Sequence, residues 1–181
     1  VLLNFNLFTI ILALASMPLA FTYPLMKRFT YWPQLFLGIT FNYGIILGWT
    51  AINGQIDVIP LILYFGAIFW TLGYDTIYGY QDIIDDEIIG VKSTSIKFKE
   101  NPKKILYSFY LVTFLSLVGL GYLMKFNYIY FICLIVPLLH FFVYQLGRLD
   151  IKSPSNCLML FKSNNFLGLI IFLNLLIGKN F

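Results

Sequence analysis

Residues 58–94 read VIPLILYFGAIFWTLGYDTIYGYQDIIDDEIIGVKST. The first part is an apolar run, and the second holds five of the chain's eight acidic residues: Asp75, Asp82, Asp85, Asp86 and Glu87. A bilayer core about 30 Å thick takes roughly 20 apolar residues in a helix, and the run over 58–78 has that length. In lipid, every backbone polar group must bond within its own segment or within a closed barrel. A long continuous run, rather than short alternating ones, selects the helix. This stretch therefore predicts a membrane-spanning helix that ends in a cluster of carboxylates at the membrane surface.

The rest of the chain repeats the apolar half of that pattern. It has 181 residues, 60% hydrophobic and only 11% charged, against about 25% charged in soluble domains. Too few charges are present to cover a soluble surface. Six spans are predicted, over 2–22, 34–52, 58–78, 104–124, 127–146 and 160–178. The breaks carry turn residues: Pro24, Pro33, Asn53-Gly54, Asn101-Pro102, and Ser153–Asn156 around Pro154. The expected architecture is an all-α integral membrane protein, a bundle of six transmembrane helices forming a single membrane domain over residues 1–181. Cys133 and Cys157 have no framework spacing and imply no disulfide. The chain opens on Val1 without a basic leader, which argues against a secretory signal; either the start codon is unusual or the chain is the C-terminal part of something longer.

Of the twelve basic residues, ten fall in the odd-numbered loops: Lys27, Arg28, Lys92, Lys97, Lys99, Lys103, Lys104, Arg148, Lys152 and Lys162. Only Lys125 and Lys179 fall on the other side. That bias puts the odd loops, and the acidic stretch with them, in the cytoplasm, with a bacterial inner membrane as the expected location. The net charge of +4 is explained by these membrane-flanking lysines, and no nucleic-acid partner is expected, since a phosphate-tracking patch needs exposed surface.

If the helix continues through Asp86, successive residues turn by about 100°. Asp75, Asp82 and Asp86 then share one stripe with Gly79, while Asp85 and Glu87 point elsewhere. Three carboxylates on one face repel each other unless a cation lies between them. A hard ion such as Mg²⁺ suits oxygen ligands, and it is commonly held by one or two carboxylates together with substrate phosphates. A solvated acidic loop is the alternative. Interleaved Tyr74, Tyr78 and Tyr80, and the following Gly90-Val91-Lys92-Ser93-Thr94, favour an anion held beside a metal; Lys92 is otherwise an interface anchor. A second polar cluster, Tyr23 to Arg28, pairs Tyr23 with Lys27 one helical turn apart. Arg28 adds a planar fork for phosphate, or these two bases are charge anchors only. His140 lies deep in the fifth span and reads as a neutral histidine bonded to a neighbouring helix. Asn164 and Asn165 read as N-caps of the last span, with pocket lining the alternative. A cation transporter would place ionisable groups near the midplane, whereas here they sit at the surface.

The stretch YDTIYGYQDIIDDEIIGVKST closely resembles the second aspartate motif of the UbiA-type aromatic prenyltransferases, most of all the branch that prenylates 4-hydroxybenzoate for ubiquinone. The segment YPLMKRFTYWPQLFLGITFNYGIILGW resembles that branch's loop and next helix, and its Tyr23-x-x-x-Lys27 matches the family's YxxxK element. The ending FKSNNFLGLIIFL is similar to the family's last helix. The resemblance implies a nine-helix membrane fold of which this chain supplies helices four to nine. It implies Mg²⁺ on Asp82 and Asp86, the D-x-x-x-D of the motif, with Asp75 in an accessory role. Tyr23 and Lys27 would hold the diphosphate, with Arg28 and Lys92 as helpers. The implied substrates are a polyprenyl diphosphate and an aromatic acceptor such as 4-hydroxybenzoate, and the implied surroundings a lipid bilayer.

The family's first motif, N-D-x-x-D-x-x-x-D, does not occur in these 181 residues. A split gene, a misplaced start or a decayed gene would each produce such a chain. The implied function stays polyprenyl transfer to the aromatic acceptor; the alternative is a non-catalytic remnant, or a subunit of a split enzyme completed by a separately encoded N-terminal fragment. Because half of the implied metal site lies outside it, the isolated chain is expected to show little or no turnover of polyprenyl diphosphate with 4-hydroxybenzoate. A product assay on the purified chain checks this, and robust turnover refutes it.

Overall fold

The computed structural model describes residues 4–180; Leu2 and Leu3 of the first predicted span lie outside the described residues. The structure is all helical, with six membrane-spanning units over Leu7–Phe29, Pro33–Asn53, Val58–Gly79, Pro102–Leu123, Tyr128–Arg148 and Pro154–Lys179.

Local sequence explains most of the boundaries. α1 (Leu7–Thr22) starts at Asn6, whose side chain accepts from Thr9 N, a cap that satisfies one orphan amide of the first turn. A 3₁₀ turn, Tyr23–Leu25, carries the chain into α2 (Met26–Phe29). Pro24 therefore tightens the first span without ending it. α3 (Pro33–Phe41) and α4 (Gly44–Asn53) form the second unit. Gly54 closes it at φ 71°, a left-handed conformation suited to glycine.

α5 (Val58–Gly79) is the hub, packing against α3, α4, α8 (Pro102–Leu123) and α12 (Pro154–Asn180). Its closest partner is α8, and two glycines set the distance. A Cβ on Gly66 would lie 2.6 Å from Ser116 Cβ, and one on Gly73 would enter the Tyr110 ring. Small residues at such crossings let backbones approach in a membrane. Thr113 Oγ1 donates to Gly66 O at 3.1 Å across the same seam. Around it lie Leu72, Ile77, Leu106, Tyr110, Phe141, Leu160 and Leu167, all nearly or fully buried. Large apolar side chains such as Phe65, Leu115, Val143 and Phe172 stay exposed on the outer faces, as lipid contact requires.

The fifth unit is broken into α9 (Tyr128–Cys133), α10 (Ile135–Leu139), a π-helical turn over His140–Gln145, and α11 (Leu146–Arg148). Pro137 has no N–H to give the carbonyl of Cys133, which interrupts the ladder at that point. The last helix differs from expectation. It begins at Pro154, which suits the first helical position, and not near residue 160. Asn164 and Asn165 are therefore ten residues inside it and cap nothing. Cys133 and Cys157 are both free thiols.

Gly66→Ala should cost about 1–3 kcal/mol through overpacking against Ser116. A reversible denaturation titration in mixed micelles measures it, and Gly119→Ala, where a Cβ meets nothing within 4 Å, is the matched control.

Candidate active site

The acidic stretch does not continue α5. The helix stops at Gly79, the chain turns through Tyr80–Asp82, and α6 (Ile83–Ile89) sets off anew. Tyr80 is 1% exposed and pins this turn into the core. The single-helix stripe is thus replaced by a bend, which still carries the three acids to one place. A cavity of about 170 Å³ is lined by Asp75 from α5, Asp82 and Asp86 at the start of α6, and Tyr23 and Lys27 from the segment after α1. Pro33, Gln34, Leu37, Tyr78 and Gly79 complete it.

Each wall is held by buried polar bonds. Gln34 is 4% exposed, and its Oε1 accepts from Thr94 N at 3.0 Å. Thr76 and Thr94 share a hydroxyl bond of 2.7 Å, and Ser95 Oγ donates to Thr76 O at 2.8 Å. These bonds tie α7 (Thr94–Lys97) to α3 and α5. Gly79 is needed because a Cβ there would run into Ser95 Oγ. Across the mouth, Lys92 N donates to Lys27 O at 2.8 Å, and Gly90 makes the preceding turn at φ 79°.

Asp82 occupies the position before α6 but makes no side-chain capping bond. Asp86 is half-buried. Burial pushes its carboxyl above the ordinary value, Lys27 opposes that rise, and Asp82 and Asp85 add to it. Asp85 and Glu87 face away, as the spacing suggested: Asp85 is exposed, and Glu87 pairs with Lys99 at 2.6 Å.

Two expected members lie elsewhere. Arg28 is exposed and does not line the cavity. The Lys92 ammonium donates to Phe29 O at 3.3 Å and lies 5.6 Å from the centre of the Tyr31 ring. The hydroxyls of Ser93 and Thr94 are also committed, Ser93 to capping α7 and Thr94 to Thr76, since buried polar groups seek partners. The Gly90–Thr94 segment therefore braces the site and does not open into it. Tyr78 lines the cavity, as its place among the acids suggested, whereas Gln34 was missed from sequence; a glutamine just after Pro33 in an apolar run was the available signal.

Among the described residues, no three His, Cys, Asp or Glu side chains converge into a metal-binding group. The expected three-carboxylate grip is corrected to a looser ring of acids around a cavity. That donor set fits Mg²⁺ held jointly with a diphosphate, because one or two carboxylates plus phosphate oxygens make up its usual shell. Asp82 and Asp86 would supply the hard oxygens, and Lys27 and Tyr23 a cation and a donor for the anion.

His140 lies away from this cavity, its Nε2 3.0 Å from Ser163 Oγ and its Nδ1 3.1 Å from Gln145 Nε2, so it is bonded to the last helix as a structural histidine.

A family model described as the UbiA prenyltransferase family matches residues 1–176. The chain is 48% identical over 184 residues to the mitochondrial 4-hydroxybenzoate polyprenyltransferase of Bos taurus, covering 99% of this chain and 48% of that protein. For the Homo sapiens protein of the same description the identity is 46% over 182 residues, with 99% and 48% covered. For that of Arabidopsis thaliana it is 42% over 184 residues, with 100% and 44% covered. The chain thus spans about half the length of the curated relatives it matches. No solved structure matches it.

In metal-free protein, the Asp86 carboxyl should titrate above the ordinary aspartate range. Removing a neighbouring anion eases loss of the proton, so Asp82→Asn should lower its midpoint. Removing the cation does the reverse, so Lys27→Gln should raise it. Carbon-13 NMR of labelled aspartates reads both signs.

Proposed function

Because this chain belongs to the UbiA prenyltransferase family, we propose that its six helices form one membrane domain of an enzyme that moves a polyprenyl group from polyprenyl diphosphate to 4-hydroxybenzoate in ubiquinone synthesis. The carrying observation is a single cavity lined by Tyr23, Lys27, Asp75, Asp82 and Asp86. The printed names of the relatives support the polyprenyl donor and the acceptor. Turnover is assigned to an assembly in which a longer chain or a separately encoded N-terminal fragment supplies a second set of acids.

In this reading the allylic C–O bond breaks and the diphosphate leaves with the bonding pair. The ring carbon ortho to the phenol oxygen attacks the allylic cation, and that carbon then gives up its proton. Asp82 and Asp86 would hold Mg²⁺, and the ion would supply charge neutralisation to the leaving group. Lys27 provides a fixed positive charge and Tyr23 a hydroxyl donor for the same oxygens. Asp75, across the cavity, is accessory. Arg28 and Lys92 act at a distance, as basic groups around the mouth that draw in an anionic headgroup. Charge stabilisation by fixed groups in a water-poor site is usually the largest catalytic contribution.

The assigned location is a bacterial inner membrane with the cavity on the cytoplasmic side, supported by the basic bias of the odd loops. The relatives' mitochondrial names favour a mitochondrial membrane as the alternative, oriented by the same bias.

In an assembled enzyme, Asp82→Ala should lower Mg²⁺-dependent product formation by at least about 10²-fold while leaving the amount of protein in the membrane unchanged. Wild-type product formation in that variant removes the metal assignment.

A further inference from the structure

One end of the Gln34 side chain is committed and the other is free. Gln34 stands in the first turn of α3, one residue after Pro33, and is 4% exposed. Its Oε1 accepts from Thr94 N at 3.0 Å. A backbone N–H can only donate, so this bond fixes which end of the amide is oxygen and turns the two Nε2 protons the other way. Nε2 lies 3.5 Å from the point that a Cβ on Gly79 would occupy, and both Gln34 and Gly79 line the acidic cavity. Among the described residues Nε2 has no hydrogen-bond partner. It is not shut away either, as the unpartnered Tyr80 hydroxyl is shut in the core.

We infer that Gln34 is a phosphate-binding residue of this cavity, its Nε2 donating to an oxygen of the diphosphate. The inference rests on the function proposed above. It adds a neutral donor from α3, a helix whose other residues in the cavity, Pro33 and Leu37, are apolar. Asp75, Asp82 and Asp86 line the same space, yet none of them takes the amide. Neutrality matters here, because a base at position 34 would pair with those acids and fill the room the anion needs. The direction of the donor is set by α7, which Thr94 and Ser95 tie to α5 at Thr76. Such a donor is aimed before the ligand arrives, which is what makes fixed groups effective.

Equilibrium dialysis on the full chain in lipid nanodiscs tests this, with Mg²⁺ present and the non-ionising geranyl S-thiolodiphosphate as probe. Two variants separate a phosphate contact from a structural brace. Gln34→Met keeps the length of the side chain but loses both the donor and the bond to Thr94. Gln34→Glu keeps an oxygen for Thr94 N and replaces the donor with a second oxygen. A phosphate contact predicts that Gln34→Met weakens probe binding about tenfold, the effect of one hydrogen bond to a charged group. Gln34→Glu, which sets an anion against an anion, should weaken it further. A brace alone predicts the opposite order, with Gln34→Glu close to wild type. That opposite order, or wild-type binding in Gln34→Met, overturns the inference and leaves the proposed function standing. Mn²⁺ binding without the probe, read by electron paramagnetic resonance, should be the same in Gln34→Met as in wild type. A matching loss there would put the action of Gln34 on the acids and also overturn the inference. If the wild-type chain does not bind the probe saturably, the inference and the proposed function both fall.

Discussion

The fold depends on how closely neighbouring helices can approach the backbone of α5. In a bilayer no hydrophobic force drives helices together, so contact must come from fit and hydrogen bonding. Gly66 and Gly73 admit the side chains of α8, and Gly79 admits Ser95. Threonine hydroxyls then bond across each crossing. The acidic half of the site hangs from this helix: Asp75 projects from it, and the turn that brings in Asp82 and Asp86 follows its last residue, while Tyr23 and Lys27 come from the segment after α1.

That turn reconciles two electrostatic demands. Carboxylates are costly inside the membrane, yet the anion site must be dry enough for charge to act strongly. Ending α5 at Gly79 and restarting at Ile83 puts Asp82 and Asp86 at the surface end of the bundle, where they share a cavity with Asp75 in the last turn of α5. Lys27, held by the backbone bond from Lys92, offsets their repulsion. The ring of like charges is tolerable because it is half-open and lies beside one cation.

Much of this was legible in sequence, for identifiable reasons. Six apolar runs and the clustered acids follow from composition, and the pairing of Tyr23 with Lys27 follows from helical spacing. The bend at Tyr80–Asp82 was not legible, because it is set by burial of Tyr80 in a core that no local pattern reveals. Lys92 and Thr94 looked like anion ligands because their chemistry permits it, but their partners on distant helices claim them first. Asn164 looked like a cap because Asn is common there. Pro154 moved the true start of the helix, and the amide became a buried cross-link among Trp70, Gln145 and α12.

The π-helical turn at His140–Gln145 has an evolutionary corollary. Such a turn is equivalent to one extra residue within an ordinary helix. It swings Gln145 to where it meets Tyr110, His140 and Asn164 together. A single-codon deletion here would relax the segment to regular winding and rotate everything downstream by about 100°, uncoupling the amide from all three partners at once. Length in this segment should consequently drift far less among descendants than the identity of its lipid-facing side chains.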